Sequence, residues 1–342
     1  MPGTLPHLPE LLDAFYGPGT TGALEPLPPN LSTRRYHRFR PSAPEVERSI
    51  VMQLPDDGVD GPSREQARAF LDVQAFFARE ALSVPAVYAH DLPHGLMLLE
   101  DLGDETFERR LRARPSEWRT LYTQAIDLLA RMHATWTPAR SVDDCVAFRR
   151  RYDVALLRWE LDHFREWGLE TLSSPLTAAD KSELDRHFDA LTDAIAQLPL
   201  GLVHRDYQSR NLMWAERDRL TILDFQDAFI GPAPYDLVAL LCDSYVELTP
   251  ELQRAMLLRY AEQRHFSDAQ RTALERGFHL ITVQRKLKDA GRFVFIDRTR
   301  HMPEFLPFYP GSLVYVARAL ASLPELSALR SLLLRLVPNF PR

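Results

Sequence analysis

Lysine is nearly missing from this chain: of 41 basic residues only Lys181, Lys286 and Lys288 are lysines, and none falls in the first 180 positions. Any mechanism that needs a lysine there is excluded, and arginine must supply the positive charge. Cysteine is scarce as well. Cys145 and Cys242 have no Cys-x-x-Cys spacing, which excludes a disulfide framework or a cysteine zinc site and fits a reducing compartment. There is no positive excess: 47 acidic residues give a formal net charge of -6, which argues against nucleic acid as the main partner, since phosphate-backbone binding is built from cations. No apolar run approaches the ~18 residues needed to span a bilayer. No basic residue precedes Arg34, and no long apolar core marks a targeting segment. The expectation is a soluble, cytoplasmic protein with no membrane partner. What is present is 342 residues, 45% of them hydrophobic. That is enough for a sizeable core and, at roughly 100–200 residues per domain, for two lobes.

Patterning divides the chain into a leader helix and linker (1–23), an N-lobe (24–101) and a C-lobe (102–342). Residues 5–16 read as a short amphipathic helix through Leu8, Leu11, Leu12 and Phe15, followed by a linker rich in Gly and Pro over 17–29. β-like runs follow at 36–39 and 49–54, then a helix over 63–80 with Ala67, Phe70, Val73 and Phe77 on one face, then β-like runs at 86–90 and 96–100. Composition changes at Asp101-Leu102-Gly103-Asp104. Beyond it helices are expected over 118–133, 153–167 and 180–198, the last stopped by Pro199, whose ring and missing amide end a helix. From Pro234 onward further helices alternate with proline-containing loops.

The informative stretch is 201–236. A strand end at Leu202-Val203-His204 leads into a polar loop, a second strand over 211–214, a charged turn over 216–219 and a third strand over 220–225. A hairpin folded about the midpoint between Arg217 and Asp218 sets Met213 opposite Ile222, Leu212 opposite Leu223 and Asn211 opposite Asp224. Opposed Cα atoms lie about 4.5–5.5 Å apart, so an amide oxygen and a carboxylate would meet at one end of the hairpin, beside the loop carrying Asp206. A hard divalent cation wants few protein oxygens, with remaining positions left to phosphates and water, so magnesium with a nucleotide is the expected ligand. Asp206, five residues before Asn211, is placed to accept a proton from a hydroxyl attacking a γ-phosphate. His204-Arg205-Asp206, four residues, then Asn211 matches the kinase catalytic-loop pattern, and Asp224-Phe225 the metal position that follows it. His204 is read as a loop-orienting hydrogen-bonding group, without a part in proton transfer. The segment Gly17-Pro-Gly-Thr-Thr-Gly22 has the Gly-x-Gly-x-x-Gly form, but a helix precedes it and Pro-rich sequence follows, so it reads as linker.

With these motifs the chain resembles the aminoglycoside phosphotransferase and choline kinase superfamily, and within it the bacterial anomeric kinases that phosphorylate N-acetylmuramate and N-acetylglucosamine at C1 in cell-wall recycling. Arg34-Arg35-Tyr36, Ile50-Val51-Met52, the run from Leu98 to Gly103, His204 to Met213, Leu223 to Ala228 and Gln284 to Gly291 carry the resemblance. It implies an α+β, bilobal protein-kinase-like fold, a small β-rich N-lobe and a larger, mainly helical C-lobe, with ATP between them. It also implies that adenine bonds to backbone near Glu100 and Leu102, that Asp206 is the catalytic base, and that Asn211 and Asp224 hold Mg2+. Glu65 matches the helix position that usually pairs with a phosphate-binding lysine. Here the strand offers Ile50-Val51-Met52-Gln53 instead, so Arg34, Arg35 and Arg48 are the candidate phosphate cations. The nucleotide-covering loop near 29–33 also lacks glycine.

For the acceptor, residues 281–300 hold six basic groups, Arg285 and Lys288 among them, against two acidic ones. Facing a cleft, such a patch would repel a polycationic aminoglycoside and attract a lactyl carboxylate; the other reading is a solvated helix face. Asp227 and Tyr235 are further substrate candidates, and Asp236 a brace for the catalytic loop. The expected activity is transfer of the ATP γ-phosphate to a sugar hydroxyl. The alternatives are an aminoglycoside or choline-type phosphotransferase, or a nucleotide-binding module without transfer activity.

Overall fold

Alternating large apolar and charged side chains in Arg35–Pro41, and near-continuous apolar runs in Ser49–Gln53 and Leu96–Glu100, are the patterns of a half-buried strand and of strands covered on both faces. The computed structural model describes residues 5–28, 33–43, 45–172, 175–215 and 218–342. Helix α1 (Leu8–Tyr16) is followed by β1 (Gly22–Pro26), β2 (Arg35–Pro41), β3 (Ser49–Gln53), α2 (Pro62–Arg79), β4 (Val87–Asp91) and β5 (Leu96–Glu100). The five strands form one antiparallel sheet in the order β1-β2-β3-β5-β4, with Val51 of β3 opposite Leu98 of β5 at its middle. The segment expected to be linker therefore contains an edge strand. Glycine at Gly22 is what lets it start there, because a Cβ would sit 2.3 Å from the Arg40 carbonyl oxygen. The leader helix belongs to the same core: Leu8, Leu11 and Leu12 are buried with Phe39, Val51, Leu96 and Leu98. Each such side chain contributes about 1.5–3 kcal/mol by leaving water. The covering loop at 29–33 lies, but for its last residue, outside the described residues.

Helices α3 (Phe107–Ala113), α4 (Trp118–Ala134), α5 (Val154–His163) and α6 (Ala178–Ala196) come next, with a π-helical segment, Phe164–Glu170, continuing α5. Side chains cap them where the sequence offers a donor or acceptor. Asp153 accepts from the Leu156 amide at 2.9 Å, and Thr177 and Asp180 form a reciprocal capping box on α6. Short strands β6 (Leu200–Val203), β7 (Leu212–Ala215), β8 (Arg219–Ile222) and β9 (Phe229–Pro232) then pair as β6 with β9 and β7 with β8. The rest is helical: α7 (Tyr235–Leu241), α8 (Pro250–Gln263), α9 (Asp268–Arg300), α10 (Phe308–Ala321) and α11 (Ser327–Leu336). The 33-residue α9 opens with a Ser267–Gln270 capping box and ends at His301, whose φ of 55° is left-handed.

The chain forms two compact units. One comprises Met1–Arg110, Ser141–Ala147 and Arg210–Ala228; the other comprises Leu111–Arg140, Phe148–Ser209 and Phe229–Arg342. A single cut after residue 101 is thus not how the backbone divides. The β7–β8 hairpin belongs with the sheet because the Ile222 amide donates to the Ser83 carbonyl at 2.9 Å, and Phe225 stacks on Phe70 with centroids 4.9 Å apart. No helix among the described residues is long and apolar enough to cross a membrane.

Candidate active site

In the helical unit, the loop after β6 is held by a buried carboxylate. Asp236, fully buried in the first turn of α7, accepts the His204 amide at 2.7 Å and the Arg205 amide at 2.9 Å. His133 of α4 adds its Nε2 at 3.1 Å, and the Tyr260 hydroxyl lies 2.7 Å from His133 Nδ1. A carboxylate that only accepts fixes the direction of the first bond: His133 donates from Nε2 to Asp236. The brace matters because Arg205 has φ of 82°, a left-handed conformation costing a non-glycine residue about 1 kcal/mol. His204 acts as expected, its Nδ1 accepting the Asp206 amide at 3.2 Å.

Asp206 itself is gripped from α9. Arg285, only 3% exposed, donates to the Arg205 carbonyl at 2.7 Å and to Asp206 Oδ1 at 3.2 Å, while its guanidinium lies 4.8 Å from the Tyr235 ring centroid. Burial alone would push the Asp206 carboxyl up, but the charges of Arg285, Lys288 and Arg205 outweigh it and hold the group below the usual carboxylate range. The side chain keeps 40% exposure, so an ionised oxygen is reachable. An ionised, oriented, accessible carboxylate can accept a proton from a hydroxyl.

The hairpin register differs from the expectation by one residue. Leu212 pairs with Ile222, Met213 with Thr221 and Ala215 with Arg219, so Asn211 faces Leu223, whose amide donates to the Asn211 carbonyl at 2.9 Å. Three residues, not two, separate the last pair. Asp218 is the cause: it takes φ of 55°, the left-handed position that closes a three-residue hairpin, and its carboxylate accepts from Trp214 Nε1 at 3.0 Å and Arg110 Nη2 at 2.8 Å. In an unbroken strand this register would put Asp224 on the face opposite Asn211. The strand is broken instead. It ends at Ile222, and Asp224 leaves it with φ of 59°, its Oδ1 accepting from Gln226 Nε2 at 2.8 Å. Strand register therefore does not set Asn211 against Asp224, and the pair rests on the motif alone.

Elsewhere in the sheet unit, the nucleotide candidates separate by their partners. Arg34 donates to Gln66 Oε1 at 3.1 Å, the residue after Glu65, and also bonds the Tyr36 phenol, which senses the Asp224 charge. Glu65 is exposed in the first turn of α2 with no ion pair among the described residues. Arg35 is exposed. Arg48 lies 3.5 Å from Asp101, a carboxylate it shares with Arg38 at 2.7 Å. The Glu100 amide is engaged by the Ala86 carbonyl at 2.9 Å, and its carboxylate by Arg219 and the Ala86 amide. Leu102 is buried just beyond β5.

The basic stretch of α9 divides: Arg292, Arg298 and Arg300 are exposed, whereas its first half is not a solvated face. Lys286 is 1% exposed, its Nζ 2.6 Å from Ser244 Oγ and 3.0 Å from Asp289, and Lys288 lies 3.2 Å from the same carboxylate. Of the acceptor candidates, Tyr235 is fully buried beneath Arg285, and Asp227 is half-buried in the turn before β9. Sequence reasoning missed the buried Glu160, which accepts from Tyr152 and from Gln284 Nε2 at 2.8 Å, and the aromatic row along α5. It missed His133 too, although a histidine four residues past Leu129 on an apolar helix face was a signal. Oxygen donors are the right chemistry for magnesium. Among the described residues no cluster of three or more His, Cys, Asp or Glu side chains could hold an ion.

Residues 24–275 match the model of the phosphotransferase enzyme family. The chain is 31% identical to an N-acetylmuramate/N-acetylglucosamine kinase of Pseudomonas putida, covering 95% of this chain and 91% of that one. It is 32% identical to the protein of the same name from Pseudomonas aeruginosa, covering 95% and 92%. Among solved structures, a choline/ethanolamine kinase family protein from Mesorhizobium loti superposes with a TM-score of 0.59 at 17% identity, covering 94% of this chain and 96% of that one. An AMP-bound spectinomycin phosphotransferase reaches a TM-score of 0.60 at 14% identity, covering 93% and 98%.

Proposed function

Since the chain belongs to the phosphotransferase enzyme family, we propose that it is an ATP-dependent sugar kinase that transfers the γ-phosphate to the anomeric hydroxyl of N-acetylmuramate or N-acetylglucosamine. The observation that carries the reading is Asp206, ionised, braced through Asp236 and clamped by Arg285. The names and coverage of the Pseudomonas relatives support the choice of acceptor.

In this reading Asp206 accepts the proton of the acceptor hydroxyl as that oxygen attacks phosphorus, and Arg285 keeps the carboxylate aimed and charged. The bond from Arg285 to the Arg205 carbonyl ties the same guanidinium to the loop backbone. Arg34, tied to Gln66 and Tyr36, stands in for the absent lysine as the phosphate cation. Asn211 and Asp224 would hold Mg2+, which when bound neutralises charge on the phosphates. Glu100 and Leu102 mark the backbone that would receive adenine, and Asp227, Arg285 and Lys288 the acceptor side; Tyr235, fully buried, supports Arg285 from beneath rather than touching substrate.

Incubation with ATP, magnesium and either sugar should yield sugar 1-phosphate. Its absence for both, under conditions where nucleotide binds, overturns the acceptor assignment. Asp206→Ala should leave ATP binding intact and lower turnover by at least about 100-fold; unchanged turnover overturns the role of Asp206.

A further inference from the structure

Seven residues beyond Arg285, on the same face of α9, stands a cation that the proton-transfer account does not use. Arg285, Lys288 and Arg292 follow at i, i+3 and i+7, so the face that grips Asp206 continues about 10 Å further along the helix. Arg292 is exposed and has no acidic partner among the described residues; its guanidinium lies 4.8 Å from the Phe295 ring centroid. Partial desolvation, then the charges of Arg300 and Arg205, push the Arg292 guanidinium below its ordinary value. Arg285 and Lys288 each have a carboxylate, Asp206 and Asp289, so among the described residues Arg292 is the cation of this face left to complement an anion.

The neighbouring surface is aromatic. Phe295 meets Trp167 edge-on at 5.1 Å and His163 at 5.3 Å, and His163 stacks on Trp159, which is 58% exposed. His163 is 8% exposed, yet its Nε2 has no hydrogen-bond partner among the described residues. Burial, then Arg292 and Lys288, push that imidazole down to about 4, so it is neutral at physiological pH. Two backbone features bring these groups together. The π-helical segment begins at Phe164, and Gly291 allows α9 to approach it, since a Cβ there would lie 2.7 Å from the Phe164 Cα and 3.0 Å from the His163 carbonyl oxygen. Flat apolar rings beside an unneutralised guanidinium suit a pyranose that carries a carboxylate.

We propose that Arg292, with the rings of Trp159, Trp167 and Phe295, forms an acceptor subsite that recognises the carboxylate of an acidic amino sugar. This rests on the kinase reading above and deepens it: the subsite distinguishes N-acetylmuramate, which bears a lactyl carboxylate, from N-acetylglucosamine, which does not.

The test uses the full chain and both sugars. Arg292→Gln should raise KM for N-acetylmuramate about tenfold and leave KM for N-acetylglucosamine and for ATP within about twofold. Arg292→Lys should recover part of the loss. Equal effects on both sugars overturn the subsite, as does a rise confined to ATP, which would assign the guanidinium to nucleotide phosphate. Calorimetric binding of each sugar separates this inference from the reading beneath it. Wild-type protein that binds N-acetylmuramate through Arg292 but phosphorylates neither sugar refutes the kinase acceptor and keeps the subsite. Wild-type protein that binds it no more tightly than Arg292→Gln does overturns the subsite, even if both sugars are phosphorylated.

Discussion

Asp206 stands on a loop whose backbone is bonded from α7 and α9 and whose carboxylate is clamped by Arg285, whereas Asp224 follows a four-residue strand that ends two positions before it and is steadied by Gln226. The first arrangement is fixed by groups that are almost wholly buried: Asp236 at 0%, Arg285 at 3% and His133 at 4% exposure. The second is exposed and lightly tied. On the roles proposed for them, a proton acceptor must be aimed before the acceptor arrives, which suits the over-determined loop, and a metal ligand would gain its final order from the ion and the phosphates, which suits the loose one.

If that contrast holds, the largest effect belongs to Asp236→Ala. It strips the acceptor from two buried amides and from His133, and should cost about 3 kcal/mol of stability by urea unfolding, together with at least about 100-fold in kcat. A variant of unchanged stability would break the comparison. Asp224→Asn should do the reverse, leaving stability within about 0.5 kcal/mol because the side chain is exposed, while lowering kcat about 100-fold and raising the magnesium needed for half-maximal rate. Arg285→Gln sharpens the first half. With its main cation gone, Asp206 rises toward its ordinary value, so the acid limb of kcat/KM moves to higher pH; at neutral pH, where the carboxyl stays ionised, the rate falls about tenfold because the carboxylate has lost the guanidinium that aims it. The sign for stability is the same: the depressed folded-state value means ionised Asp206 stabilises above the ordinary carboxylate range, and that contribution is lost as pH falls. The smallest effect is expected at Glu65→Gln, within about twofold in KM for ATP, because the exposed carboxylate has no ion partner among the described residues.

Much of this was legible in the chain beforehand. The apolar periodicity of α2 and α6 and the runs of β3 and β5 located those elements within a few residues, because burial of one face is recorded as spacing. The catalytic-loop spelling singled out Asp206, and the missing lysine Arg34, Arg35 and Arg48, as candidates whose roles belong to the proposed function. Other features were not legible. Nothing in Gly17 to Pro29 announced β1, whose strand exists only because β2 lies beside it. The hairpin was misregistered by one residue because Asp218 adopts a left-handed conformation that its neighbours do not signal.

The amino-acid sequence alone determined which chemical groups exist and in what order: an aspartate five positions before an asparagine, arginine in place of lysine, and apolar faces that must be covered. Only the tertiary structure decided which of those groups are charged, aimed or neutralised. Arg285 and Arg292 are the same residue type, two turns apart on one helix, yet the first is buried against Asp206 and the second has no acidic partner among the described residues. The physical reason is that charge state and orientation depend on desolvation and on neighbours brought from distant parts of the chain, and neither is written in local spacing.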